Sequence, residues 1–261
     1  MRRHRGAILV ATLLVLLALA LADVGLLDPL RIVRGVGNLG EFASALFPPD
    51  PSSLPTLAEA MLETIEIAFV GTAIGFALAL PLSLAASPVL FGPAVTAPVK
   101  ILLAAVRTVP ALFWAIVFVV AVGLGPGAGA LGVALYSLGY LGKLLYETFD
   151  GVDPEVVEAV RSVGASRSQL ARYVLIPEAA NGILAQLLFM FEYNVRASSI
   201  MGFVGAGGIG FYILGYLGLL RYDLLLTALL LTLLVVVAID RASAVIRRMF
   251  LYPVAPMPPG E

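Results

Sequence analysis

The 261-residue sequence has no cysteine and a single histidine, His4. Disulfides, thiol nucleophiles and Cys/His metal centres are excluded. Charge is scarce as well. Asp, Glu, Lys and Arg together make up 13% of the chain, against about 25% in soluble domains. The formal net charge is −1, so no global basic field points to nucleic acid. A phosphate-binding P-loop is also missing. The one Gly-Lys pair, Gly142-Lys143, is followed by Leu144 where Ser or Thr is needed. No cofactor is expected, and ATP, if used, has to be handled by a partner.

What is present in excess is apolar surface: 61% of the residues are hydrophobic. A soluble fold of this length could not cover so much of it. A membrane helix needs about 20 apolar residues, and about six stretches qualify: 7–27, 64–86, 99–122, 128–146, 179–200 and 224–239. The runs are continuous rather than alternating, which argues against a β-barrel. The expected fold class is therefore all-α, a polytopic membrane helix bundle. The first stretch has a second reading. Arg2, Arg3 and Arg5 precede an apolar run ending Ala20-Leu21-Ala22, as in a cleaved signal peptide. The run continues past Asp23, which favours a retained helix.

Orientation follows from Lys and Arg. With the N-terminus inside, Arg2, Arg3, Arg5, Lys100, Lys143, Arg161, Arg167, Arg172, Arg241, Arg247 and Arg248 fall on the cytoplasmic side, against Arg31, Arg34 and Arg221 outside. Both termini and the loop at 153–177 are then cytoplasmic. Leu30, Val33, Val36, Leu39, Phe42 and Leu46 recur at helical spacing in the outer segment. They suggest a short helix on the membrane surface, weakened by Gly35 and Gly37. The expected domains are residues 1–56 (first helix and outer segment), 57–250 (core) and 251–261 (tail).

The cytoplasmic segment 153–177 carries the most information. Asp153 can cap a helix that has Pro154 at its first position. Gly164 can take the left-handed conformation that ends it. Ser166 and Gln169 form a capping box for a second short helix, and Pro177 ends the region or begins the next span. By patterning alone this is equally an amphipathic linker. Glu158, Ala159, Gly164, Val174, Ile176 and Pro177, however, stand at the spacing of Glu-Ala-x-x-x-x-Gly followed by aliphatic-x-aliphatic-Pro. The segment resembles the EAA loop of ABC-importer permeases, with Val160 in place of the second Ala.

Other stretches are similar to the phosphonate-transporter permease family, itself close to phosphite permeases. They are Phe47-Pro48-Pro49-Asp50, Glu63-Thr64, Gly71-Thr72, Arg107-Thr108-Val109-Pro110, Gly123-Leu124-Gly125-Pro126 with Gly129, 139–143, Glu147, Glu192-Tyr193-Asn194-Val195-Arg196-Ala197 and 202–210. The likeness spans about 47–248. It implies a type I ABC importer permease fold and a cargo of phosphonate or a related phosphorus oxyanion. It also implies two copies of this chain, two ATP-binding subunits and an external substrate-binding protein, all set in membrane lipid. In that reading Glu158, Ala159, Gly164, Ala165, Leu170, Val174 and Pro177 belong to the ATPase-coupling loop.

Charges inside spans need a reason, because each costs about 2.5–3.5 kcal/mol at mid-bilayer on insertion scales. Glu192 and Arg196 are four apart and can pair on one helix face. Arg107 has no acidic neighbour in sequence and either reaches the interface or faces a pathway. Lys143 with Glu147 reads as an anchor. Asp240 reads as the interfacial end of the last span. Arg107, Glu192, Asn194, Arg196, Gly205, Gly207 and Gly208 are the candidates for the pathway or core. Gly205-Ala206-Gly207-Gly208-Ile209-Gly210 spells a dinucleotide fingerprint, but it lies between two membrane spans with no strand before it. Its glycines are expected to permit close backbone packing. The competing functions are a permease for a different solute, a stand-alone secondary transporter, which needs intramembrane carboxylates and often repeats, and a membrane enzyme.

Overall fold

Proline and glycine decide where the apolar runs begin and break. The computed structural model describes residues 2–251, and every regular element among them is helical. The chain divides into two compact units between Pro49 and Asp50. In the first, α1 (Arg2–Asp23) is followed by α2 (Pro29–Ala45). Asp28 starts α2 by accepting from the Leu30 and Arg31 backbone N–H groups, which satisfies two of the donors a helix start leaves open. Gly35 and Gly37 do not interrupt it. Leu30, Val33, Val36 and Leu39 are all exposed.

The second unit contains α3 (Leu54–Ala86), α4 (Pro93–Thr108), α5 (Ala111–Val122), α6 (Pro126–Asp150), α7 (Pro154–Ser162), α8 (Arg167–Leu170), α9 (Ile176–Met201), α10 (Gly210–Gly218) and α11 (Tyr222–Leu251). Four helices among the described residues are long and apolar enough to cross a membrane, and the bent pair α4–α5 makes a fifth. The apolar part of α1, Leu9–Asp23, is shorter. The expected tail beyond residue 251 lies outside the described residues.

Helix α3 is the spine, packing most extensively on α6. Small residues make this possible. A Cβ added at Gly75 would lie 2.5 Å from Ser137 Cβ and 2.7 Å from the Ala134 carbonyl oxygen. At one end of the bundle Leu141, Leu145, Phe149, Val157, Leu170, Val174 and Leu175 form a buried cluster.

One expectation is corrected and one alternative resolved. The stretch 99–122 is not one straight helix: α4 and α5 meet at 86°. Val109, which precedes Pro110, is extended at φ −86°, ψ 121°, because the proline ring crowds the helical conformation of the residue before it. The second short helix starts at Ser166 as expected but does not end at Pro177, which instead stands in the first turn of α9, the other of its two readings. The two run on as one long helix, Arg167–Val204. Pro177 is accommodated by a widened turn over Ala171–Leu175, where the Ile176 N–H reaches back to the Ala171 carbonyl. Pro177 donates no hydrogen bond and its ring crowds the carbonyl four residues earlier, and the wide turn gives it room.

Candidate functional site

At the α7 end, the helix caps expected from sequence form. Asp153 accepts from the Glu155 N–H at 2.9 Å. Gly164 has φ +85°, and Ser166 and Gln169 make a reciprocal capping box. Two contacts hold this elbow to the α3–α4 turn. Arg161 donates to the Val89 carbonyl at 2.8 Å, and Arg167 stacks over Phe91 at 5.2 Å. Ser87 donates to Asp150 at 2.9 Å, and Lys100 pairs with the same carboxylate at 3.5 Å. The side chains divide by exposure. Leu170 and Val174 are buried and Ala165 is half-buried, so these belong to the scaffold. Glu158, Ala159, Gly164 and Pro177 are exposed, and Val163 is 82% exposed. The short helix α7 thus carries an exposed carboxylate, with an exposed valine at its end, and the elbow after it is tied to the α3–α4 turn.

About midway along α3 and α6, Asn194 of α9 is fully buried. Its amide donates to Thr72 Oγ1 and Ser137 Oγ, both at 2.8 Å. Three helices are thereby locked in register. The expected pairing of Glu192 with Arg196 is not formed. Glu192 instead accepts from Arg247 of α11 at 2.6 Å, and one Arg196 Nη1 donates to both oxygens of Asp240, each at 3.1 Å. Antiparallel packing of α9 on α11 offers each charge a partner on the neighbouring helix. Asp240 lies inside α11, which runs on to Leu251, and not at its end. Lys143 and Glu147 do pair, at 3.1 Å.

Arg107 ends α4, half-buried, with its backbone against Gly139: a Cβ added there would lie 2.7 Å from the Arg107 nitrogen. Its Nε is buried and has no hydrogen-bond partner among the described residues. Beyond the break, Pro110, Ala111 and Leu112 face Tyr193 and Arg196 across a cavity of about 360 Å³. Tyr136 stacks on Tyr193 at 5.6 Å and on Tyr140 at 5.9 Å. Tyr136 and Tyr140 of α6, and Asp240 and Arg247 of α11, are not among the site candidates read from sequence, because nothing in linear spacing brings them to α9.

The glycine-rich loop packs as expected. Gly205, Gly207 and Gly208 have φ of +79°, +83° and +82°. This left-handed backbone aims the Gly208 and Ile209 N–H groups at Glu63 Oε1 (3.2 Å) and Thr64 Oγ1 (2.8 Å). A Cβ at Gly207 would collide with Glu63 and Pro126. The loop clamps α3 to the start of α6, which is a packing role and not nucleotide binding.

Residues 71–250 match the family described as binding-protein-dependent transport system inner membrane component. The chain belongs to this family. It is thus a multi-pass inner-membrane permease of the ABC importer type, a transport component and not an enzyme. It is 35% identical over 233 residues to the phosphite transport system permease protein PtxC of Stutzerimonas stutzeri, covering 87% of this chain and 83% of that protein. It is 36% identical over 223 residues to the phosphate-import permease protein PhnE of Mycolicibacterium smegmatis, covering 85% of this chain and 42% of that one. Among solved structures, the permease fold is similar to that of the MetNI methionine ABC transporter in inward-facing conformations. The match has TM-score 0.68 and 25% identity, over 77% of this chain and 98% of that one. A bacterial alginate ABC transporter, 16% identical at TM-score 0.63, shares the fold over 96% of this chain and all of that one.

Proposed function

We propose that this permease carries a phosphorus oxyanion (phosphite, a phosphonate or phosphate) into the cytoplasm by alternating access, as one of two copies driven by two separate ATPase subunits. An external binding protein delivers the cargo. The observation that carries the coupling part is the α7–Gly164–α8 elbow: a capped, exposed helix braced on the long spans at the end where Lys and Arg concentrate. Placing both termini and this elbow in the cytoplasm agrees with the charge bias. The cargo rests on the relatives, whose names specify phosphite and phosphate. The domains in this reading are an N-terminal segment 1–56, a permease core over 57–250 with coupling loop 153–177, and a tail 251–261.

A second copy is supported by the exposed side chains of α9. Phe189, Tyr193, Ile200 and Phe203 lie on one stripe with Arg196, and Arg196 and Asp240 are 45% and 42% exposed. An ion pair on helices long and apolar enough to cross a membrane is costly against lipid tails. A facing copy with a polar path between would cover it.

The test is reconstitution of the permease with its ATPase and binding protein in vesicles, comparing phosphite, methylphosphonate and phosphate uptake. Glu158→Lys and Gly164→Pro are expected to insert normally but to lose at least about tenfold of ATP-driven uptake. Loss of more than about 1.4 kcal/mol of docking energy is enough for that. Wild-type uptake of none of the three anions removes the cargo assignment. Normal uptake by both variants removes the coupling assignment.

A further inference from the structure

The surroundings of the α4–α5 break hold more hydrogen-bond donors than the protein itself uses. Arg196 spends only Nη1 on Asp240. Its Nη2 and Nε have no acceptor among the described residues, and the side chain lines the 360 Å³ cavity beside Pro110, Ala111 and Leu112. That volume lies within the about 300–1,000 Å³ usual for small-molecule sites. Tyr136 donates its hydroxyl proton to the Tyr193 oxygen at 3.3 Å, which leaves the Tyr193 O–H free to donate. Tyr193 lines the same cavity.

The charge balance points the same way. On α9 and α11, Glu192 is neutralised by Arg247, and Arg196 by Asp240. Arg107, on the other side of the break, has no ion pair among the described residues and a buried Nε without a partner. Arg107, three residues before Pro110, thus brings a positive charge without an ion pair to the break, and an unpaired ion within a span is costly.

We propose that Arg196 and Tyr193 form a transient binding station for a tetrahedral phosphorus oxyanion at the α4–α5 break, with Arg107 supplying the uncompensated charge. Asp240 is a resident competitor for Arg196. It holds the guanidinium in place when the station is empty and weakens the grip on the cargo, so that the anion leaves. A station that bound without such competition would trap its cargo. This rests on the cargo reading above.

The test uses the assembled transporter in phosphatidylcholine vesicles with radiolabelled phosphite. Arg196→Gln is expected to lower kcat/KM at least about tenfold, from loss of charge-assisted hydrogen bonds, while ATP hydrolysis continues. Tyr193→Phe, which keeps the ring stack, is expected to lower it several-fold with an unchanged melting temperature. Asp240→Asn is expected to lower KM and kcat together, because release slows. The charge-swapped double variant Arg196→Asp/Asp240→Arg decides between a station and a structural strap. It restores the ion pair and the melting temperature but, on this proposal, not the uptake. Uptake restored by the swap, or unaffected by Arg196→Gln and Tyr193→Phe, overturns the station and leaves the importer assignment standing. An uptake defect that appears only when anionic lipid is added reassigns the donors to a lipid headgroup and also overturns it. A wild-type transporter that moves no phosphorus oxyanion overturns the cargo reading itself, and the station with it.

Discussion

At the residue scale, burial makes the two partners of an ion pair unequal. The Glu192 side chain is 10% exposed and that of Arg247 is 29% exposed. Removing Arg247 strands a buried carboxylate that water cannot reach. Removing Glu192 leaves a guanidinium that can turn toward water. Arg247→Met is therefore expected to destabilise the protein by about 3 kcal/mol, in the range for breaking a buried pair. Glu192→Gln, which keeps a hydrogen-bond acceptor for Arg247, is expected to cost about 1 kcal/mol. Thermal unfolding in detergent checks the order, and equal losses would contradict it. Asn194 belongs to the same class of residue, since its value lies in two hydroxyls on two other helices.

At the element scale, short connections do the fastening. The start of α3 is held to the start of α11 by a clasp. The Asp50 N–H donates to the Asp223 carbonyl at 3.2 Å, Thr227 donates to the Asp50 carbonyl at 2.8 Å, and Arg221 bridges Asp50 at 3.3 Å and Asp223 at 2.9 Å. The Ser52 backbone N–H, then its hydroxyl, with Arg221 a smaller contributor, hold the Asp50 carboxyl below its ordinary range. A depressed carboxylate contributes stability above its unfolded pKa and loses it as pH falls through the folded value. Asp50→Asn is therefore expected to melt lower than wild type at pH 7. The gap should narrow as pH drops below about 4, the ordinary carboxylate pKa. A gap that widens in acid would show that the clasp works through something other than this carboxylate. The α4–α5 break and the wide turn before Ile176 are the other fasteners, and each follows from one proline, Pro110 or Pro177.

At the scale of the whole molecule, the exposed α9 stripe is where the proposed second copy can be tested. Because the natural chain has no cysteine, one introduced thiol reports without background. Ile200→Cys, 50% exposed beside the cavity, is expected to give a cross-linked dimer with a short bis-maleimide in membranes that contain the ATPase. A product that stays monomeric at every spacer length would place this face elsewhere than between two copies.

The sequence by itself determined the solvent, the class of fold and the elbow at 153–177. These depend on local chemistry: apolar run length, a cap beside a proline, a glycine where φ must be positive. Lys143 with Glu147 was legible for the same reason, because a helix turn brings residues four apart together. Other features were decided only by the tertiary structure. Arg196 faces Asp240, Glu192 faces Arg247, and Asn194 meets Thr72 and Ser137, each across dozens of residues. The pairing of Glu192 with Arg196 was locally permitted, but the neighbouring helix α11 offered each charge a better partner. Which charges meet within a membrane bundle depends on which helices pack together. That choice is made by small-residue contacts such as Gly75 on Ser137, and it leaves no trace in the spacing of the charges themselves.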